Sequence, residues 1–205
     1  MGCDLLRKQH MKNKEITRAD ILSIDEYAVV RGERKRFVSA IKKDRRVAVG
    51  PDASFYFESF ETMLHQVQEM LFIERGGEAQ VDDELNAYNT LIPNGHELVA
   101  TLMFEIDNAK RRAEFLSGLG GVENKVKLFL DDDVINGVPE AELERTNDSG
   151  KASALHFLHF PFQEKQVRQF KNLETAITLG VEHKKYSHLA IIPKETQKSL
   201  SEDLD

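Results

Sequence analysis

The stretch FESFETMLHQVQEMLFIERGG, residues 57 to 77, sets Glu58, Glu61, His65 and Glu69 at spacings of three and four. Residues so spaced are neighbours on a helix, so carboxylates and an imidazole converge there as oxygen and nitrogen donors for one cation. The same spacing also describes the wet side of an ordinary charged helix. Phe60, Met63, Leu64, Val67, Met70 and Leu71 fall on the opposite side, which is the side that packs.

Glu74 differs from these. It follows Val67 by seven residues and Met70 by four, which places it on the apolar side, near a helix C-terminus whose dipole disfavours an anion. A carboxylate there needs a cationic partner or takes up a proton, unless the last turn opens to solvent. Arg45, Arg46 and Arg75 are the available guanidinium groups. Glu84 and Tyr88 stand four apart beside the apolar stripe of Val81, Leu85 and Ile92, and Asn89 follows directly. Glu74, Glu84, Tyr88 and Asn89 therefore meet, in this reading, between two helices joined by the short link GGEAQ. Such a cluster either holds a cation through Glu69, Glu74 and Glu84 or fixes helix packing through hydrogen bonds.

Other chemistry-bearing groups assemble less well. His156 and His159 lie three apart in a strand and so point to opposite faces. His96-Glu97 opens like a zincin motif but lacks the second histidine. GLGG at 118 to 121 precedes a strand, so it stops a helix and cradles no phosphate. No Walker A loop and no G-x-S-x-G elbow is present. Cys3 is the one cysteine, which rules out a disulfide within the chain and any multi-thiolate metal site.

The elements that must position these residues follow from periodicity. Residues 1 to 14 read as a flexible arm. Thr17 with Asp20 and Ser23 with Glu26 are successive N-cap signals, and Tyr27, Val30, Phe37, Val38 and Ile41 carry a helix to about Lys43. RRVAVGPDASFYFE gives two short strands around Gly50-Pro51-Asp52. Ser59 caps the next helix, Gly76 and Gly77 stop it, and a second helix covers about Val81 to Leu91. HELVATLMFEI alternates as a half-buried strand, with Leu98, Ala100, Leu102, Phe104 and Ile106 inward and Glu97, Thr101 and Glu105 outward. A short helix, the strand KVKLFLD, a long polar connection with one helical turn, the strand ALHFLHFPF, a short helix and a closing hairpin complete the chain. Residues 194 to 205 read as a frayed tail. Runs of strands with helices inserted in clumps specify a single α+β domain over 15 to 193, with a largely antiparallel sheet.

Composition narrows the function classes. At 40% hydrophobic and 31% charged residues, with no apolar run near the roughly 18 residues of a membrane span, the chain reads as a soluble cytoplasmic protein with no membrane partner. Residues 1 to 51 hold 13 Lys and Arg against 7 Asp and Glu, while the whole chain carries −7. No aromatic residues interleave those lysines, so nucleic-acid binding through the basic first helix, Arg34 and Arg36 included, trails the other readings.

Read in order, ITRADIL, RRVAVG, FES, QVQEML with Glu74 behind it, ELNAYNTLIP and ELVATL resemble the bacterial family catalogued as domain of unknown function 3501. The likeness runs from Ile16 to Pro161. It carries over Arg45, Arg46, Glu58, Glu69, Glu74, Glu84, Tyr88, Asn89 and Pro93, and departs at His65, Ser59 and Phe72, where an aromatic residue, Asn and a basic residue are expected. The resemblance implies a bacterial protein encoded near rubrerythrin-like and iron-sulfur proteins, hence a link to redox or iron homeostasis under oxidative stress. The leading expectation is a non-catalytic accessory or binding protein whose Arg and Glu cluster locks two helices to the sheet. The alternative is a small redox enzyme binding iron or manganese through Glu69, Glu74 and Glu84, with Tyr88 as partner.

Overall fold

The computed structural model describes residues 14–140 and 152–205. A 3-10 turn, Arg18–Asp20, leads to helix α1 (Ile24–Lys43), whose start is fixed by the expected capping box between Ser23 and Glu26. The strands β1 (Arg46–Val49) and β2 (Ala53–Phe57) form a hairpin through Gly50, whose φ of 74° only glycine adopts freely. Tyr186 and His188 close on that turn so tightly that a side chain at Gly50 would collide with both.

Helix α2 (Phe60–Glu74) is capped by Ser59, as its sequence predicts. It ends one residue before the glycines, at Arg75 in the left-handed conformation (φ 54°), and Gly77 (φ 79°) then reverses the chain into α3 (Glu78–Asn89). The remaining elements are β3 (Glu97–Phe104), α4 (Ala109–Leu116), β4 (Val126–Leu130), β5 (Asp133–Asn136), β6 (Val138–Pro139), β7 (Leu155–Pro161), α5 (Glu164–Lys171), β8 (Ile177–His183), β9 (Tyr186–Ile191) and α6 (Lys194–Ser201).

Two antiparallel sheets result, ordered β1-β2-β3-β7-β6 and β5-β4-β8-β9. Leu98, Ala100, Leu102 and Phe104 of β3 share one core with Leu128, Leu130, Leu179 and Val181 of the smaller sheet. Val99 enters a second core with Leu64, Val67, Leu71, Leu85 and Ile92 from α2, α3 and the residues after α3. The larger sheet is therefore a middle layer, with helices on one side and the second sheet on the other. This is the α+β class the sequence specifies, built with two sheets.

Three local expectations change. β3 is buried on both faces, because the helical layer covers Val99 and Thr101 as well. The polar connection after β4 contains β5 and β6, which pair with β4 and β7, where the sequence suggested one helical turn; its later part, like the N-terminal arm, lies outside the described residues. The last dozen residues form α6 and a parallel bridge from Leu204 to Gly95, because Leu200 is fully buried and Gln197 donates to the carbonyls of Phe170 and Asn172, which docks the short helix. No helix among the described residues is long and apolar enough to cross a membrane.

Candidate functional site

The quoted stretch splits by direction around α2. On the side facing α1, Arg31 donates from Nε and Nη2 to the two oxygens of Glu69 at 2.8 Å each, and Lys35 stands 3.2 Å away. The Tyr27 hydroxyl gives its proton to Glu69 Oε1 at 2.8 Å, so its oxygen accepts from His65 Nδ1 at 3.0 Å and His65 carries its proton on Nδ1. The Arg31 fork, with Tyr27 and Lys35 beside it, holds the Glu69 carboxyl down at about 2. Burial pulls the His65 imidazole below its ordinary value and pushes the Tyr27 phenol up. Arg31 also lies 4.6 Å over the Phe72 ring, where the family resemblance leads one to expect a basic residue. Spacing alone gives Tyr27 a packing role and does not single out Arg31, although their separation of four on α1 is legible once Glu69 is known to face that helix.

On the side facing α3, Gln80 takes the part expected of an arginine. Its Nε2 donates to Glu74 Oε2 (2.8 Å) and to Glu84 Oε1 (3.0 Å), while its Oε1 accepts from the Gly76 amide (2.7 Å). Tyr88 sits beside them, half-buried, and burial raises its phenol against a hydrogen bond from Gln66. Glu74 is exposed. Glu74, Glu84 and Tyr88 are thus brought together, whereas Glu69 faces α1. Among the described residues, no group of three or more His, Cys, Asp and Glu is arranged to hold a metal ion.

The other candidates occupy separate places. Arg45 is buried and donates to the carbonyls of Phe57 (3.0 Å) and Glu58 (2.7 Å) and to the carboxylate of Asp203, which burial pushes above its ordinary range. The Glu58 carboxylate accepts from the hydroxyls of Thr62 and Thr101, both at 2.6 Å. Glu61 is buried with Arg34 at 3.4 Å. Arg46 reaches Ser54 across the hairpin and Glu105 just after β3. Pro93 is buried after α3. His156 and His159 do point to opposite faces; His159 lies between Glu97 (3.1 Å) and Glu140 (2.9 Å), which raise its pKa.

Two side-chain amides hold the segment before α1 against the helical layer. Asn89 pairs with the backbone of Ile16, accepting its N–H at 2.8 Å and donating to its carbonyl at 3.0 Å. Gln68 does the same for Leu22, at 2.6 and 3.3 Å. Between these clips Arg18 forks onto Glu78 (2.6 Å) and Asp82 (3.0 Å) of α3. The segment before α1 is thereby laced along the helical layer. A cavity of about 570 Å³ opens where it meets the starts of α1 and α3 and the end of α2. Ile21, Leu22, Leu71 and Val81 give it an apolar lining, and Asp25, Glu26 and Glu78 an acidic one. Nothing in residue spacing announces Gln68 or this cavity, since an amide that clips a distant backbone leaves no periodic mark.

A crystal structure of a novel protein of unknown function from Burkholderia pseudomallei K96243 is similar to this chain, with a TM-score of 0.86 at 35% identity, over 93% of this chain and 99% of that one. A comparison with curated proteins finds no match. Residues 15–204 match the family described as Protein of unknown function (DUF3501), and so the short segments read in order from Ile16 onward, together with the α6 end that they did not reach, place the chain in that family.

Proposed function

We propose that this protein is a non-catalytic binding module serving redox or iron homeostasis, and that it engages its partner through the cavity at the corner of α1, α2 and α3. The cavity is the observation that carries the reading. Its volume lies within the range of sites that hold a ligand or a few anchoring side chains, and its apolar lining with a few polar groups is the usual composition of such sites. Its walls are fixed by the Asn89, Gln68 and Arg18 contacts before anything binds, which lowers the ordering cost of association. The redox or iron setting comes from the family resemblance, whose implied partners are rubrerythrin-like or iron-sulfur proteins.

The test is co-purification from oxidatively stressed cells, comparing the wild-type chain with Val81→Asp and Leu22→Asp. A rubrerythrin-like or iron-sulfur protein recovered with the wild type and lost with both folded variants supports the reading. Equal recovery, or no such partner, overturns it. The second reading, a carboxylate-ligated metal enzyme, is favoured by the approach of Glu74 and Glu84 to one amide. Near-stoichiometric iron or manganese in chelator-free protein, lost on Glu74→Gln, would move the assignment there.

A further inference from the structure

The smaller sheet buries one face. On its other face the register aligns Val134, Phe129, Thr178 and Ile191 in a row across β5, β4, β8 and β9, with Asn136, Lys127, Gly180 and Leu189 in the next row. Gly180 leaves a gap that Leu189 covers: a Cβ there would lie 2.5 Å from Leu189 Cδ2 and 3.1 Å from Phe129 Cε2. Phe129 stands half-buried in the middle of this face, while Val134 on the β5 edge and Leu189 and Ile191 on the β9 edge are exposed by 43%, 64% and 75%. Exposed apolar side chains gathered on one face of a sheet mark an interaction site. It shares no residue with the cavity.

The charges around that face say what covers it. Within the face, Lys127 and Glu182 neutralise each other at 2.5 Å. The β4–β5 turn presents exposed Asp131 and Asp132, and the β8–β9 turn presents exposed Lys184 and Lys185. Leu130 pairs with Ile177 at the start of β8, so the two turns lie at diagonally opposite corners of the sheet. A two-fold axis along the other diagonal stacks two such faces with strands crossed, and sets the acidic corner of each copy on the basic corner of the other. Elsewhere a chain of net charge −7 repels its own copies, whereas here it offers both signs at matching positions.

We infer that this face is where two copies of the chain associate, with Phe129, Val134, Leu189 and Ile191 as its apolar contacts and the two charged turns as the rim. The test is sedimentation equilibrium of the full chain at micromolar concentrations. The wild type is expected to be dimeric, Ile191→Glu to raise the dissociation constant more than about tenfold, and Lys184→Glu with Lys185→Glu to weaken association. Adding Asp131→Lys and Asp132→Lys to that pair restores association, because both rims are then reversed together. A monomeric wild type overturns the inference, as does a dimer indifferent to Ile191→Glu in protein whose circular dichroism is unchanged. Should Ile191→Glu fail to fold, Val134→Lys on the opposite edge gives the same reading.

Discussion

At Glu69 one carboxylate accepts two N–H bonds from Arg31, one O–H bond from Tyr27 and the approach of Lys35. Its pKa is depressed in the fold, so its stabilisation is present above the ordinary carboxylate value and is lost as pH falls through about 2. Glu69→Ala is expected to cost about 1–2 kcal/mol at neutral pH, as a charged hydrogen-bond set partly open to water does. Urea midpoints of the two proteins should converge in strong acid. His159 has the opposite sign: with its pKa raised, first by the Glu97 bond, its contribution is complete below the ordinary imidazole value and fades as pH rises through the raised one. His159→Asn should therefore lose most at mildly acidic pH and little at alkaline pH, which unfolding curves across that range would check. Neither residue's role was legible from spacing. Spacing shows Glu69 only as one of a row of acids and His159 only as facing away from His156, whereas the partners of His159 come from β3 and the residue after β6.

At the scale of elements, the helical layer depends on two amides that fasten an irregular segment. Asn89→Ala removes both bonds to Ile16 and is expected to cost about 1–2 kcal/mol, with faster hydrogen exchange confined to residues 16 to 22. Exchange that stays unchanged there would mean that Gln68 and Arg18 suffice. The sequence made the long elements readable because each carried its own stop and start: Ser23 with Glu26, Gly50-Pro51-Asp52, and Ser59. It left β5, β6 and α6 unread because each is short and acquires its conformation from the neighbour it pairs with or docks on. The expected union of Glu69 with Glu74 and Glu84 fails for a geometric reason. Five residues along a helix turn a side chain about 140° away, toward a different neighbour.

For the whole molecule, the middle sheet is enclosed by helices on one side and by the second sheet on the other, so β3 joins the two cores. The α6 end is part of that enclosure: Leu200 is fully buried, and Asp203 provides the carboxylate that Arg45 requires. Leu200→Ala should cost about 2–5 kcal/mol, in the range of buried leucine truncations, and unfold both cores in one transition. Separate melting of the helical layer would show instead that the cores are independent.

The salt bridge between Lys14 and Asp205, with the Leu204 bridge to Gly95 beside it, brings the two ends of the described chain side by side. A fold in which residues 14 and 205 adjoin has an order of synthesis that its native contacts do not remember. Joining residue 205 to residue 14 by a few flexible residues, and opening the backbone at the exposed turn between Lys184 and Lys185, should yield a permuted chain that reaches the same three layers from a different starting point.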